Sequence, residues 1–277
     1  MPARAWGFKS PLGHAYGPSS VLLARLRGVA SSDLWDEAVA ATYDEDHADM
    51  FAADAVDPAV SLLAELARDG AALAFAVGTG RLAIPLARSG VSVTGIDLSP
   101  DMVARLHSKV RPEEVPAVVG DMATTRVPGD FDLVFLPFNS ISNLRTQGEQ
   151  VQCFRNAARH LTDGGHFVIE LFVPPLRRLT PGDDAVLFDA NEAHVGFDTI
   201  DVVTQELSSH HLTLGADGSY RYGVGHFRYI WPAECDLMAA LAGLDLVARY
   251  GDWDGSPFNA SSTKHVSVWR KPASVPD

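Results

Sequence analysis

Three features of this 277-residue chain have the residue types and spacing to do chemistry. The first is the loop in "LAFAVGTGRLA", residues 73–83, where Gly78 and Gly80 join an apolar run to a helix-forming one. Glycine lets backbone approach a ligand closely, and the helix N-terminus beyond it offers free N–H groups and partial positive charge. The second is Asp97, at the end of the next apolar run. An acid at that distance after a glycine loop can accept both hydroxyls of a ribose. The third is Asp121, in "VVGDMA", residues 118–123. Gly78-x-Gly80-x-x-Ala83 with Asp97 satisfies a dinucleotide fingerprint, and a nicotinamide cofactor and an S-adenosyl one fit it equally. The loop alone also fits a tight turn that holds no ligand.

These residues need elements to hold them. Short, continuous apolar runs at 71–77, 91–96, 115–119, 131–136 and 165–172 alternate with helical patterns at 81–89, 99–110 and 146–161. Runs of that kind suit a parallel sheet covered on both faces, and the alternation predicts a doubly wound α/β domain. Upstream, "SSDLWDEAVAATYDEDHADMF" predicts a serine-capped helix, and a second helix is expected to start at Asp57-Pro58. After Pro174-Pro175 the rhythm changes. Residues 185–231 predict three longer antiparallel strands with a turn at Asp217-Gly218, then a helix from Pro232 and two last strands at 244–250 and 265–270.

The quoted stretches, with "GIDLSPDMV" (95–103), "FDLVFLPFNSISNL" (131–144) and "HLTDGGHFVIELF" (160–172), resemble the class I S-adenosylmethionine-dependent methyltransferases over roughly residues 33–271. Within them the chain is most similar to the bacterial natural-product and aminosugar N-methyltransferases. The resemblance implies a Rossmann-like seven-stranded sheet with its last strand antiparallel, and an antiparallel β insert between strand five and the last helix. It implies a methyltransferase domain over 32–271, with a lid helix over 32–56 and the insert over 174–231. The cofactor implied is S-adenosyl-L-methionine. Gly78 and Gly80 would embrace its methionine part, Asp97 would bind the ribose and Asp121 the adenine amino group. Arg81, opening the helix after the loop, either reaches the donor's carboxylate or stands solvated. Leu98, Met102 and Met122 would wall the adenine, Leu136 would stand where strand four meets the methyl, and Tyr43 would close over the donor. Phe138 and Asn139 would meet the acceptor. One departure stands out: the family usually has an acid near where Ala74 stands, helping to hold the donor's amino group. Asp44, Glu45 or Asp46 on the N-terminal helix are the candidates to compensate.

Methyl transfer to an already activated carbon mainly needs alignment and exclusion of water, with a base only where the nucleophile starts protonated. No single catalytic residue is therefore assigned; Tyr43, Asn139 and His211 are the candidates. His210 and His211 are adjacent in an expected strand, so at most one faces the site. Tyr220, Tyr222, Phe227, Tyr229 and Trp231 are expected to be mostly core. The reading is an enzyme methylating an O or N nucleophile of a small molecule. The rivals are an NAD(P)-dependent oxidoreductase and a non-catalytic S-adenosylmethionine-binding protein.

A net charge of −13 without a basic patch argues against nucleic acid and anionic membranes as partners. Two cysteines, Cys153 and Cys235, make no disulfide framework and no metal spacing, and no metal is expected. A cytoplasmic monomer or homodimer follows by default. Residues 1–31 are expected to be a disordered or non-native extension, since Gly7-Phe8-Lys9-Ser10-Pro11 can be encoded by the T-arm of a tRNA gene; 272–277 form a tail.

Overall fold

The computed structural model describes residue 35 and residues 37–215 and 217–273. The expected extension over 1–31, and most of the expected tail, lie outside those residues. Helix α1 (Glu37–Asp46) leads through a short 3₁₀ turn into α2 (Ala53–Ala67). Strands β1 (Ala72–Phe75), β2 (Val93–Asp97), β3 (Ala117–Val119), β4 (Phe131–Leu136) and β5 (Leu161–Phe172) then alternate with α3 (Ala83–Arg88), α4 (Pro100–His107) and α5 (Gln147–His160). Strands β6 (Ala185–Ala190), β7 (His194–Ile200), β8 (Glu206–Leu214) and β9 (Tyr220–Arg228) follow, then α6 (Pro232–Leu241), β10 (Asp245–Tyr250) and β11 (Lys264–Arg270).

The main sheet runs β10-β11-β5-β4-β1-β2-β3. Its pairs are parallel except where β11 runs antiparallel to both β5 and β10. The expected antiparallel last strand is therefore present. Side-chain alternation sorts the two faces. Leu73 and Phe75 join Phe154 and Ala157 of α5 and Met238 of α6 in one core, while Ala72 and Ala74 join Leu63 of α2, Leu86 of α3 and Leu106 of α4 in the other. Strand order reverses at β1, where crossovers leave toward opposite faces, and a crevice opens at the strands' C-terminal ends.

Local signals set the helix starts. Ser99 caps α4 by accepting from the Met102 N–H at 3.1 Å, with Pro100 in the first turn. Thr146 and Glu149 form a reciprocal capping box on α5. Such caps contribute about 1 kcal/mol each. Elsewhere the structure departs from expectation. Helix α2 begins at Ala53, four residues before Asp57, so Pro58 sits inside it. Ala53 to Val56 are competent helix formers and Val56 is buried, which offsets the one backbone bond that Pro58 cannot donate.

The insert is a four-stranded meander, β6-β7-β8-β9, rather than three strands. Asn191 splits the first: its side-chain oxygen accepts the N–H groups of Ala193 and His194, both at 2.9 Å, and reverses the chain. Of the insert's aromatic residues only Tyr229 is buried; Tyr220 and Tyr222 are 56% and 59% exposed. They lie toward the free end of the sheet, where no core reaches them. The near end is anchored by buried Arg228, which donates to Gln150 of α5 at 2.5 Å, to Glu234 of α6 at 2.8 Å, and to Gln205. A buried cation satisfied on three sides is costly to disrupt.

Buried histidines make the fold acid-labile. His265 in β11 is fully buried, and burial pushes its pKa down to about 4. The unfolded chain protonates such a residue near 6.5, so between pH 6.5 and 4 the unfolded state binds the extra proton and stability is lost as pH falls. The loss from this residue reaches about 3 kcal/mol by pH 4. Melting temperature measured against pH should fall across that window, and His265→Leu should flatten the slope.

Candidate active site

The loop after β1 makes a sharp exit. Ala76, Gly78 and Gly80 all have positive φ, at 48°, 55° and 90°. At Gly78 the turn presents backbone to open space. Gly80 serves packing instead: a Cβ there would lie 2.4 Å from Leu106 and 2.8 Å from Ile84. Asp97 ties the loop to β2, accepting the Gly78 N–H on Oδ2 at 2.7 Å and the Ser99 N–H on Oδ1 at 2.9 Å. Burial pushes its pKa above the usual carboxylate value, against those N–H groups. Each oxygen keeps a further lone pair for a hydroxyl donor. Asp121, just past β3, accepts the Ala123 N–H on Oδ1 at 2.7 Å.

These carboxylates face a cavity of about 390 Å³, which Gly78, Leu98, Met102 and Met122 also line. Two acceptors flank apolar walls, an arrangement suited to a nucleoside with its diol at Asp97 and its base amine at Asp121. A smaller cavity of about 60 Å³ adjoins it and shares Tyr43, Ala76, Gly78 and Ser140. Ala74, Thr79, Arg81 and Phe138 line this second space. Burial lowers the Arg81 pKa, and Glu170, 3.9 Å away, opposes the shift.

Helix α1 closes over both cavities. Asp44 takes the Thr79 hydroxyl at 2.5 Å on one oxygen and Lys109 at 2.6 Å on the other. The Ser99 hydroxyl donates to the Trp35 carbonyl at 2.6 Å. Tyr43 lines both cavities, and burial raises its pKa. Both Asp44 oxygens are thus engaged by the lid contact, Asp46 accepts from Thr42, and Glu45 is exposed.

Of the residues singled out from sequence, Tyr43, Gly78, Arg81, Asp97, Leu98, Met102, Asp121, Met122 and Phe138 line these two cavities. Gly80, Leu136 and Asn139 do not; Leu136 is wholly buried in the sheet core, and the Asn139 side-chain oxygen takes the Phe172 N–H at the end of β5. Asn139 is the second of two left-handed residues at the exit of β4, Phe138 (φ 52°) and Asn139 (φ 57°). Such non-glycine conformations cost on the order of 1–3 kcal/mol each. His211 lies on the insert, bonded to His194 at 3.0 Å, on the face of β8 opposite Glu206, whose carboxylate is 3.8 Å from the cavity residue Arg145.

Two residues that sequence reading passed over belong here. Glu170 of β5 is buried, takes the Phe138 N–H at 2.8 Å on Oε2, and so holds the strained turn. Its signal was an acid inside the apolar run "HFVIELF". His47 stacks on Tyr43 with ring centroids 4.4 Å apart and stands edge-on to Phe138. Its Nδ1 meets the Tyr43 carbonyl at 3.0 Å. A carbonyl only accepts, so Nδ1 carries the proton in the neutral ring and Nε2 keeps a lone pair. Helical spacing from Tyr43 was its only sequence signal. Asp44→Ala should release the lid: hydrogen exchange of the α1 amides should rise at least tenfold while β1 and β4 amides stay protected.

Comparison with known proteins gives a consistent result. The methyltransferase domain family matches residues 72–165. The CcbJ methyltransferase of Streptomyces caelestis superposes with a TM-score of 0.74 at 35% identity, over 85% of this chain and 96% of that one. A cypemycin N-terminal methyltransferase from a Streptomyces species is 29% identical over 69% of this chain and 79% of its own length. The dTDP-3-amino-3,4,6-trideoxy-alpha-D-glucopyranose N,N-dimethyltransferase of Streptomyces venezuelae is 29% identical over 46% of this chain and 58% of its own.

Proposed function

The chain belongs to the S-adenosylmethionine-dependent methyltransferases, with S-adenosylmethionine as methyl donor, and from that premise we propose that it methylates an amine nitrogen of a small natural product. The observation that carries the site assignment is the pair Asp97 and Asp121, facing one cavity from the ends of neighbouring strands. In this reading Asp97 receives the ribose hydroxyls and Asp121 the adenine amine. Leu98, Met102 and Met122 hold the base between them. Gly78 and Arg81 take the methionine part, and Tyr43 covers it. When bound, the donor supplies a methyl carbon already activated by its sulfonium.

The protein's part is to align the nucleophile, keep water out and take a proton. The latched α1 helix supports the exclusion of water. In this reading Phe138, aimed by its strained turn, and Asn139 meet the acceptor. Nitrogen is favoured over oxygen because two relatives are named for an N-terminal amine and an aminosugar. An amine arrives at neutral pH as an ammonium ion, so a base must take its proton before attack. In this reading His47 Nε2, whose ring packs against Tyr43 and Phe138, takes that proton. The lid over 32–56 and the insert over 174–231 would shape the acceptor pocket. A net charge of −13 disfavours nucleic acid and anionic membranes and supports a small soluble acceptor; a cytoplasmic monomer or homodimer is part of the same reading.

Three measurements test this. Calorimetry with S-adenosylhomocysteine should show Asp121→Ala weakening affinity about tenfold. A labelled-methyl assay over primary amines, aminosugars and alcohols should give transfer to amines; transfer confined to alcohols would refute the nitrogen assignment. With the active amine, His47→Gln should lower kcat about 100-fold and leave the S-adenosylhomocysteine dissociation constant unchanged; equal loss of both would remove His47 from proton transfer.

A further inference from the structure

The methionine part of the donor is a zwitterion beside a sulfonium. It needs a cation for its carboxylate and an anion for its ammonium group. The small cavity provides the cation, Arg81, but no acid lines it, and Ala74 presents only a methyl group. Three carboxylates are bonded to its lining. Asp97 sits at the other end of Gly78, turned to the large cavity, and Asp44 has both oxygens engaged in the lid latch. Glu170 is the third. Ala74 pairs with Phe135, and Phe135 with Val168. Glu170 therefore lies two strands from Ala74, one pleat nearer the strands' C-terminal ends and on the same face of the sheet. Its Oε2 holds the Phe138 N–H and faces Arg81 at 3.9 Å; no hydrogen bond joins Oε1 to any described residue.

We propose that Glu170 receives the donor's α-ammonium group on Oε1, forming with Arg81 a clamp for the zwitterion. The inference rests on the donor reading above. Glu170 then has two roles, one for each oxygen. Oε2 holds the turn that aims Phe138, and Oε1 reads the donor's charge from a strand two places away from β1.

Calorimetry with three nucleosides separates these roles. 5′-Methylthioadenosine has no amino acid part, decarboxylated S-adenosylmethionine keeps the amine without the carboxylate, and S-adenosylhomocysteine has both. Glu170→Gln, which preserves the turn's acceptor oxygen, should weaken S-adenosylhomocysteine and decarboxylated S-adenosylmethionine by about 10- to 100-fold. It should leave 5′-methylthioadenosine within twofold of wild type. Adding Ala74→Glu to Glu170→Gln should restore most of the loss by placing a carboxylate on the cavity floor. Unchanged affinity for decarboxylated S-adenosylmethionine would overturn the proposal and reduce Glu170 to a support for Arg81 and Phe138. So would equal weakening of 5′-methylthioadenosine. If neither S-adenosylhomocysteine nor 5′-methylthioadenosine bound the wild-type protein, the site assignment itself would fall, and this inference with it.

Discussion

The bond from the Gly78 N–H to the Asp97 carboxylate is the constraint on which the site depends. It joins the loop of one strand to the end of the next, so the backbone that approaches the ligand and the acid that reads it cannot move apart. Burial alone would favour protonating Asp97, and the two N–H groups work against this, so the same contacts that set its position also support its charge. The cost of desolvating a carboxylate is thereby met before any ligand arrives, leaving lone pairs free for hydroxyl donors. Preorganisation of this kind spares a ligand the work of ordering its own site.

Around that fixed point the site is assembled from parts distant in sequence. Asp44 locks the lid to Thr79 in the loop and to Lys109 beyond α4. Glu170 reaches from β5 to steady the exit of β4 and to face Arg81 in the loop between β1 and α3. Each contact joins elements far apart in the chain. Such links between packed, rigid elements place side chains more accurately than a loop can by itself.

Much of this was legible in the sequence because it is local. Apolar run lengths gave β1 to β5, Ser99 and Thr146 announced their helices, and loop, acid and second acid recur at spacings set by one βαβ unit each. What escaped was non-local. Glu170 reads as a misplaced acid until β4 and β5 are paired. His47 becomes interesting only when α1 folds back over Phe138. The insert's fourth strand is hidden because a single Asn191 turn divides what composition presents as continuous. His211 drew notice among the insert's histidines, yet only pairing with β7 reveals that its ring joins His194 rather than the cavity side.

The insert is held by its root. Arg228 binds β9 to two helices of the main domain, while the far hairpin, with Tyr220 and Tyr222, stands in solvent. Mechanically it is a cantilever: side chains near the root bear on the folding of the whole domain, and those near the tip bear on almost nothing but one another. Tolerance to substitution should therefore rise along the sheet from root to tip. A chain built this way can explore new surfaces at the tip over evolutionary time while the chemistry at the base remains undisturbed.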